Sequence, residues 1–89
     1  PVADFGDVPT RYHIDMSVVD RAGVLAEISR RFAAQNISIS AVRQEESGED
    51  SRLIVVTHES LERKLSAIVE ELREIDEVKA INSVIRLGA

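Results

Sequence analysis

Hydrophobic and polar residues alternate along the first patterned stretch, residues 12–18. One face would carry Tyr12, Ile14, Met16 and Val18, and the other His13, Asp15 and Ser17. A period of two is the side-chain period of a strand with one buried face. We therefore predict a half-buried β-strand here.

A helical spacing follows this strand. The recurring apolar residues are Leu25, Ile28 and Phe32. Intervals of three and four residues place such side chains on one face of a helix. Asp20 is predicted to be the N-cap, because its carboxylate can accept hydrogen bonds from the first free amides. We expect the helix near residues 21–35, ending where Asn36 can adopt the left-handed conformation.

Two further strands are predicted after this helix. Residues 37–41 alternate, and the alternation slips near Val42, which indicates a bulge. Residues 47–50 form a polar hairpin loop. Residues 53–56 are apolar at every position, which is typical of a central strand covered on both faces.

The strongest periodic signal is a second helical stripe. Its members are Leu61, Leu65, Ile68, Val69, Leu72 and Ile75. Ser60 can cap this helix, which we expect near residues 60–75. Its charged side is interpreted as a solvated face: Glu62, Arg63, Glu70, Glu71, Arg73 and Glu74. The last strand is predicted over residues 78–87.

The order of elements is therefore β-α-β-β-α-β, the plan of ferredoxin-like α+β folds. Such a chain forms a four-stranded antiparallel sheet, here in the order 2-3-1-4, with two helices on one face. The other face is left uncovered. Since residues 53–56 are apolar on both sides, we expect that face or a sheet edge to meet another chain or domain.

Composition narrows the class of protein. The 89 residues suffice for one domain. We assign residues 1–10, with both prolines, to a linker and residues 11–89 to the domain. The chain begins at Pro1 without a methionine, which indicates a piece of a longer protein.

Charge and cysteine content exclude several functions. A formal charge of -5 argues against a nucleic-acid partner. Without cysteine there is no disulfide, no thiolate metal site and no cysteine nucleophile, and no metal is expected. No stretch is long and apolar enough for a membrane span, so the expected compartment is the cytoplasm.

Candidate chemistry centres on the turn at residues 18–25. His13 and His58 could act in catalysis, but each is more simply a polar residue in or at the end of a strand, so no catalytic residue is assigned. Gly23 at a helix start would let a ligand approach, and the free amides there could hold its carboxylate. Asp20 could then pair with a ligand ammonium. A plain helix cap and tight turn would use the same residues, and the pattern leaves both interpretations open.

The segment from Asp20 to Leu25, DRAGVL, resembles the D-R-P-G-V-L signature of ACT domains. The similarity continues through residues 32–39, FAAQNISI, and extends over residues 11–87. Ala22 stands where that family usually has proline, so the turn lacks the fixed φ of proline.

Within the family, the chain is most similar to the C-terminal regulatory domain of homoserine dehydrogenases. The supporting stretches are residues 5–14, 55–59, 78–79 and 83–86. This resemblance implies a longer enzyme that uses NAD(P), with its catalytic residues outside this sequence. It also implies a homodimer joined through the sheet and regulation by an amino acid, L-threonine.

The resemblance further implies which residues bind the ligand. They are Asp20, Ala22, Gly23, Val24, Leu25 and Ser38, where the last replaces an asparagine that is common in related domains. Two alternatives stay open. The domain could be structural and only dimerise, or it could sense serine in another enzyme such as phosphoglycerate dehydrogenase.

Overall fold

The computed structural model describes residues 9–87, and residues 1–8 and 88–89 lie outside the described part. Most of the predicted linker, residues 1–10, is therefore outside it. Pro9 and Thr10, the linker residues that are described, belong to the first strand. The sheet thus starts two residues before the predicted start of the domain.

Five strands and two helices make up the described chain. They are β1 (Pro9–Val19), α1 (Val24–Ala34), β2 (Ile39–Ser47), β3 (Asp50–Thr57), β4 (Ser60–Leu61), α2 (Glu62–Arg73) and β5 (Val78–Leu87). The four long strands lie in the order β2-β3-β1-β5, and every pairing is antiparallel. This is the predicted order.

The fifth strand, β4, is the difference from the predicted four-stranded sheet. It consists of two residues that pair with Pro9 and Thr10 at the start of β1. The chain bends at Glu59, pairs again at Ser60 and Leu61, and enters the helix only at Glu62. Both helices are shorter than predicted, and α2 begins later than predicted because residues 60–61 belong to β4.

One hydrophobic core lies between the sheet and the helices. β1 contributes the predicted alternate residues Tyr12, Ile14, Met16 and Val18, all of which are buried. The helices contribute Val24, Ile28, Phe32, Leu65, Ile68, Val69 and Leu72 to the same cluster. Because one continuous cluster joins both helices to one side of β1, both helices lie on one face of the sheet, as predicted.

The helix starts differ from the prediction. α1 has Gly23 as its N-cap and α2 has Leu61, and neither N-cap donates or accepts a side-chain capping hydrogen bond. The predicted caps, Asp20 and Ser60, are therefore wrong. Asp20 lies at the start of a turn that separates β1 from α1, and Ser60 is held extended in β4.

The end of α1 agrees with the prediction. Asn36 adopts the left-handed conformation with φ 58, and the Ile37 amide donates back to the Phe32 carbonyl at 3.0 Å. The expected bulge lies slightly earlier than Val42, since the β2–β3 register shifts between Ile39 and Ala41. This places the start of β2 beside the end of β3, far from the first turn.

The second face of the sheet carries no helix among residues 9–87. Ile54 of β3 is nevertheless only 8% exposed on this face, while Ile85 of the edge strand β5 is 50% exposed. Burial on this face is therefore greater at the central strand β3 than at the edge strand β5.

Candidate functional site

The turn between β1 and α1 is built around Gly23. This residue has φ 89, in the left-handed region that side chains disfavour, and no atom lies within 4 Å of where a Cβ would be. Glycine is therefore required by backbone conformation and not by crowding. The turn remains open at its outer surface.

Backbone amides are free at this helix start. The Val24 amide donates to the Arg21 carbonyl at 3.3 Å, and the Glu27 amide donates to the Gly23 carbonyl at 2.9 Å. Within the described chain, no hydrogen bond is found for the amides of Leu25 and Ala26. Such amides carry the positive end of the helix dipole and can bind an anion.

Asp20 stands beside these amides. Its side chain is exposed and forms no ion pair or hydrogen bond with any residue from 9 to 87. The turn therefore presents free N–H donors and a free carboxylate within a few residues. That combination matches the two charges of a free amino acid.

Three cavities adjoin the turn, and two of them contain predicted site residues besides Gly23. The smaller, of about 100 Å³, lies on the β2 and β3 side; its lining residues are Val18, Val19, Asp20, Arg21, Gly23, Val24, Leu25, Gln44 and Leu53. The larger, of about 470 Å³, lies on the α2 side and includes Ala22, Gly23 and Val24. Five of the six predicted site residues thus line one cavity or the other.

Three arginines and four carboxylates line the larger cavity. Its arginines include Arg21, which pairs with Glu77 at 3.4 Å, and Arg31, which pairs with Glu27 at 3.2 Å. The backbone joins the same elements, since the Val19 amide donates to the Glu77 carbonyl at 2.8 Å. The two contacts to Glu77 fix the turn against the loop between α2 and β5, whereas Glu74 and Asp76 of the same cavity form no ion pair with a described residue.

Ser38 lies at the other end of the sheet. Its carbonyl accepts from the His58 amide at 2.8 Å, and its neighbour Ile39 pairs with Thr57. Val19, next to the turn, pairs instead with Asp50. Thr57 lies seven residue steps from Asp50 along β3, which is roughly 23 Å at ~3.3 Å per step. One chain therefore does not bring Ser38 to the turn.

A buried polar cluster closes the end of β1 that is opposite the turn. The Tyr12 hydroxyl donates to Glu62 Oε1 at 2.6 Å, and Arg86 donates to the same oxygen at 2.7 Å. The Arg86 guanidinium also lies 5.7 Å from the centre of the Tyr12 ring. Together these contacts tie β1, α2 and β5 to one another.

The cluster shifts the pKa of both acidic groups. Hydrogen bonds from Arg86 hold the pKa of Glu62 below its ordinary value of 4.5, although burial opposes this. Burial, with the bond to Glu62, raises the pKa of Tyr12. Glu62 is 8% exposed, so its assignment to the solvated face was wrong. The signal was present in the sequence, because Glu62 precedes Leu65 and Val69 at helical intervals.

A second buried carboxylate lies on the open sheet face. Arg52 holds Asp15 with two nitrogens, including Nε at 2.9 Å, and the Asn82 amide donates to it at 3.1 Å. These bonds, with Arg52 first, lower the pKa of Asp15 from its ordinary value of 3.8. Pairing across strands explains how a carboxylate at a polar strand position becomes buried.

The histidines show no catalytic arrangement. His58 is exposed at the end of β3, and His13 is half-buried on the open face with an Nδ1 that has no partner among the described residues. No group of three or more histidines, cysteines or carboxylates that could hold a metal ion occurs in residues 9–87. Likewise, neither helix in that range has the length and apolar character needed to cross a membrane.

Comparison with known proteins identifies the family to which the chain belongs. Residues 12–77 match the family described as the ACT domain. A homoserine dehydrogenase of Corynebacterium glutamicum is 60% identical over 87 residues, which cover 98% of this chain and 20% of that protein. One from Mycobacterium tuberculosis is 42% identical, over 98% of this chain and 21% of its own length. The chain spans about a fifth of these relatives and matches their C-terminal region.

Solved structures agree. The crystal structure of a homoserine dehydrogenase from Thiobacillus denitrificans superposes with a TM-score of 0.83 at 32% identity, over 98% of this chain and 19% of that one. The ACT domain of a GTP pyrophosphokinase from Chlorobium tepidum superposes with a TM-score of 0.67 at 16% identity, over 89% of this chain and 99% of that one. At this low identity the match supports the fold alone. The chain therefore belongs to the ACT domain family, as a regulatory module without a catalytic domain.

Proposed function

We propose that this chain is the threonine-responsive regulatory domain of a homoserine dehydrogenase, located in the cytoplasm. The observation that carries the proposal is the pairing of free amides at Leu25 and Ala26 with the free carboxylate of Asp20 at one open turn. The name shared by the relatives supports the choice of parent enzyme. The NAD(P) of that enzyme would bind in its catalytic part, outside this domain.

The turn suits a zwitterion. The ligand carboxylate accepts hydrogen bonds from the free amides at the start of α1, where the helix dipole favours a negative charge. The ligand ammonium lies against Asp20, which has no competing partner within residues 9–87. Gly23 keeps the approach open, because no side chain stands over the turn.

A homodimer completes the site in this proposal. Leu25, Ser29 and Ala33 follow one another at intervals of four, so they form one row on α1. None is charged, and Leu25 shares the smaller cavity with Gln44 of β2, so the row lies on the β2 side. β2 is an edge strand, and its Val42 is 41% exposed. We call the α1 row and the outer edge of β2 the α1–β2 flank.

Pairing of two flanks explains the position of Ser38. In a two-fold symmetric pair each flank meets its own copy, so β2 pairs with β2 and the two α1 helices run antiparallel. The start of one α1 then lies beside the end of the other. Ser38 follows that end, and it reaches the turn of the neighbouring copy, although it is far from the turn of its own chain.

One substitution tests whether the α1–β2 flank forms the dimer interface. Ala33→Glu places a charge within the α1 row and should turn the dimer into a monomer in sedimentation, with loss of threonine binding. Ala67→Glu is the matched control, because Ala67 is an exposed alanine on α2, outside the flank. A monomer that binds threonine as tightly as the unaltered chain contradicts the shared site.

Calorimetry and thermal unfolding of the 89-residue chain test the ligand. L-threonine at about a hundred times its dissociation constant should stabilise the folded state by roughly 2.7 kcal/mol. L-serine and L-valine are the controls. A dimer that responds to none of the twenty amino acids favours a structural domain, and a stronger response to serine favours a serine sensor. A full-length enzyme whose activity ignores millimolar threonine ends the regulatory proposal.

A further inference from the structure

A row of side chains crosses the open face of the sheet near the start of β1. Its members are register partners on the four long strands: Ala41, Val56, His13 and Ile85. Register partners share a face of the sheet, and Tyr12 and Ile14 are buried on the helix side, so the row lies on the opposite face. Ile85 is 50% exposed, the largest fraction among the exposed large hydrophobic side chains of residues 9–87. We call these four residues the His13 row.

The charged residues beside the row are paired within the chain. Asp15 is held by Arg52 and by the Asn82 amide, and Arg43 pairs with Glu45 at 2.9 Å. The row itself carries no charge when His13 is neutral. An exposed apolar patch with a polar surround is typical of a surface that contacts another protein surface.

His13 is the polar side chain of the row. Its Nδ1 is buried without a hydrogen-bond partner among the described residues. A buried N–H without an acceptor is rarer in proteins than a buried acceptor without a donor, so the neutral imidazole carries its proton on Nε2. No residue from 9 to 87 accepts a hydrogen bond from Nε2, which is not among the buried atoms. His13 therefore presents an N–H donor at the open face.

The row lies beside the point at which the preceding chain enters the domain. Pro9 starts β1, and His13 follows four residues later, about 13 Å at ~3.3 Å per residue. The homoserine dehydrogenases that the chain matches extend far upstream of the matched region, since the chain covers about a fifth of them at their C-terminal end. On the helix side of this end, Tyr12, Glu62 and Arg86 are bonded to one another. The open face is thus the side on which a polar group of the described chain stays unpaired.

A second copy of the domain does not match this row. The proposed dimer joins two α1–β2 flanks with all four helices on one side, so it leaves both open faces uncovered. A two-fold contact centred on the row would set the His13 donor of one copy against the same donor of the other. The row instead requires a different surface, one that is apolar and carries a hydrogen-bond acceptor.

We infer that the His13 row is the surface through which the domain docks against the catalytic part of its parent enzyme, with His13 Nε2 donating to an acceptor in an apolar patch of that part. This inference rests on the proposed function, from which it takes the parent enzyme. Val56 and Ile85 pack against the same patch on either side of the imidazole. Because the row and the turn lie at opposite ends of β1, docking leaves the turn open to the ligand.

Cysteine labelling of the full-length enzyme tests whether the row is covered. Residues 1–89 contain no cysteine, so a cysteine introduced there reports on one position, which mass spectrometry of the labelled peptide identifies. Ile85→Cys should react with a maleimide at least about 10-fold more slowly than Ala67→Cys, which is at an exposed position on α2. The two variants should react alike after unfolding in urea. Equal rates in the native enzyme overturn the proposal.

Photo-crosslinking of the full-length enzyme identifies what covers the row. Ser83 is exposed on the same face of β5, two residues from Ile85, so Ser83→Cys can carry a benzophenone maleimide at the rim of the contact. The captured peptides should come from upstream of Pro1. Capture of residues 9–87 of another copy, or no more capture than from Ala67→Cys, overturns the catalytic part as the occupant.

The role of His13 has its own test in the Ile85→Cys enzyme. His13→Leu removes the donor and should speed labelling by about 3- to 10-fold, whereas His13→Gln keeps an N–H donor and should preserve the protection. Equal labelling of the two variants overturns the role of His13. Inhibition by threonine is measured separately. An enzyme that protects Ile85→Cys but ignores millimolar threonine retains the docking surface and contradicts only the regulatory proposal.

Discussion

The polar groups at the two ends of β1 differ in whether they have hydrogen-bond partners. At the Tyr12 end, Glu62 is buried and bonded to both Tyr12 and Arg86. At the turn end, Asp20 is exposed without a described partner, and the amides of Leu25 and Ala26 have no hydrogen bond. Satisfied polar groups stabilise the fold, whereas unsatisfied groups at a surface are available to a ligand. The comparison therefore separates the part that holds the domain together from the part that is proposed to bind the ligand.

A substitution of Glu62 is the most direct test of the contrast between the two ends of β1. Glu62→Ala removes the acceptor shared by Tyr12 and Arg86 and should lower the free energy of unfolding by about 1–3 kcal/mol, as measured by urea denaturation. Glu70→Ala is the control on the same helix, where the side chain is 78% exposed, and it should stay within about 0.5 kcal/mol. Threonine affinity of the folded protein should not change, and equal losses of stability in both variants would refute the role of the cluster.

At the turn end, Gly23→Val tests the required backbone conformation. A side chain at φ 89 should cost roughly 1–2 kcal/mol, measured in the same denaturation experiment, and should block the ligand. Gly48→Val is the matched control, because Gly48 has φ 65 in the hairpin and equally open surroundings. We expect both variants to lose stability but only Gly23→Val to lose threonine binding. Loss of binding in both would mean that the effect is general unfolding.

Lowering the pH tests the stabilising role of the buried carboxylates without any substitution. The pKa values of Glu62 and Asp15 are lower in the folded state than their ordinary values of 4.5 and 3.8. A depressed pKa contributes stability that is present above the ordinary value and is lost as the pH falls through the folded-state value. The free energy of unfolding should therefore decrease progressively below about pH 4.5. Glu62→Gln should flatten this decrease in a pH series of denaturation curves, and an unchanged slope would contradict the assignment.

The smallest effect on stability is expected at Asp20. Asp20→Ala should change the free energy of unfolding by less than about 0.5 kcal/mol, because the structure shows that Asp20 is not a helix cap. Threonine affinity measured by calorimetry should nevertheless fall, since the ammonium loses its partner. Asp76→Ala, at another exposed carboxylate, is the control for net charge. A loss of stability without a loss of affinity would return Asp20 to a purely structural role.

Periodicity predicted much of the fold. The alternation of residues 12–18 and the stripe from Leu65 to Leu72 identified the core faces, and Asn36 identified the end of α1. Both cap predictions failed because capping depends on the residue at which the helix begins. The chain makes a turn after Asp20, and it pairs as a strand at Ser60, so each predicted cap lies before its helix.

The site was predictable only in part. The turn from Asp20 to Leu25 is contiguous, so one short motif identifies its members. Ser38 could not be placed relative to the turn, because its position depends on the register of β2 against β3. Asp15 is buried through Arg52 and Asn82, which are 37 and 67 residues away in sequence, and no local pattern reveals such partners.

The central position of β1 has a consequence for folding kinetics. β1 is made first, yet its partners arrive late: the Tyr12 amide bonds to Thr57, 45 residues away, and the Thr10 hydroxyl bonds to the Leu87 carbonyl, 77 residues away. Contacts between distant residues slow folding, because the intervening chain must close before they form. On the ribosome, β1 has one bare edge until β5 has been synthesised, so the sheet of the described residues is completed only after the last of its strands has emerged.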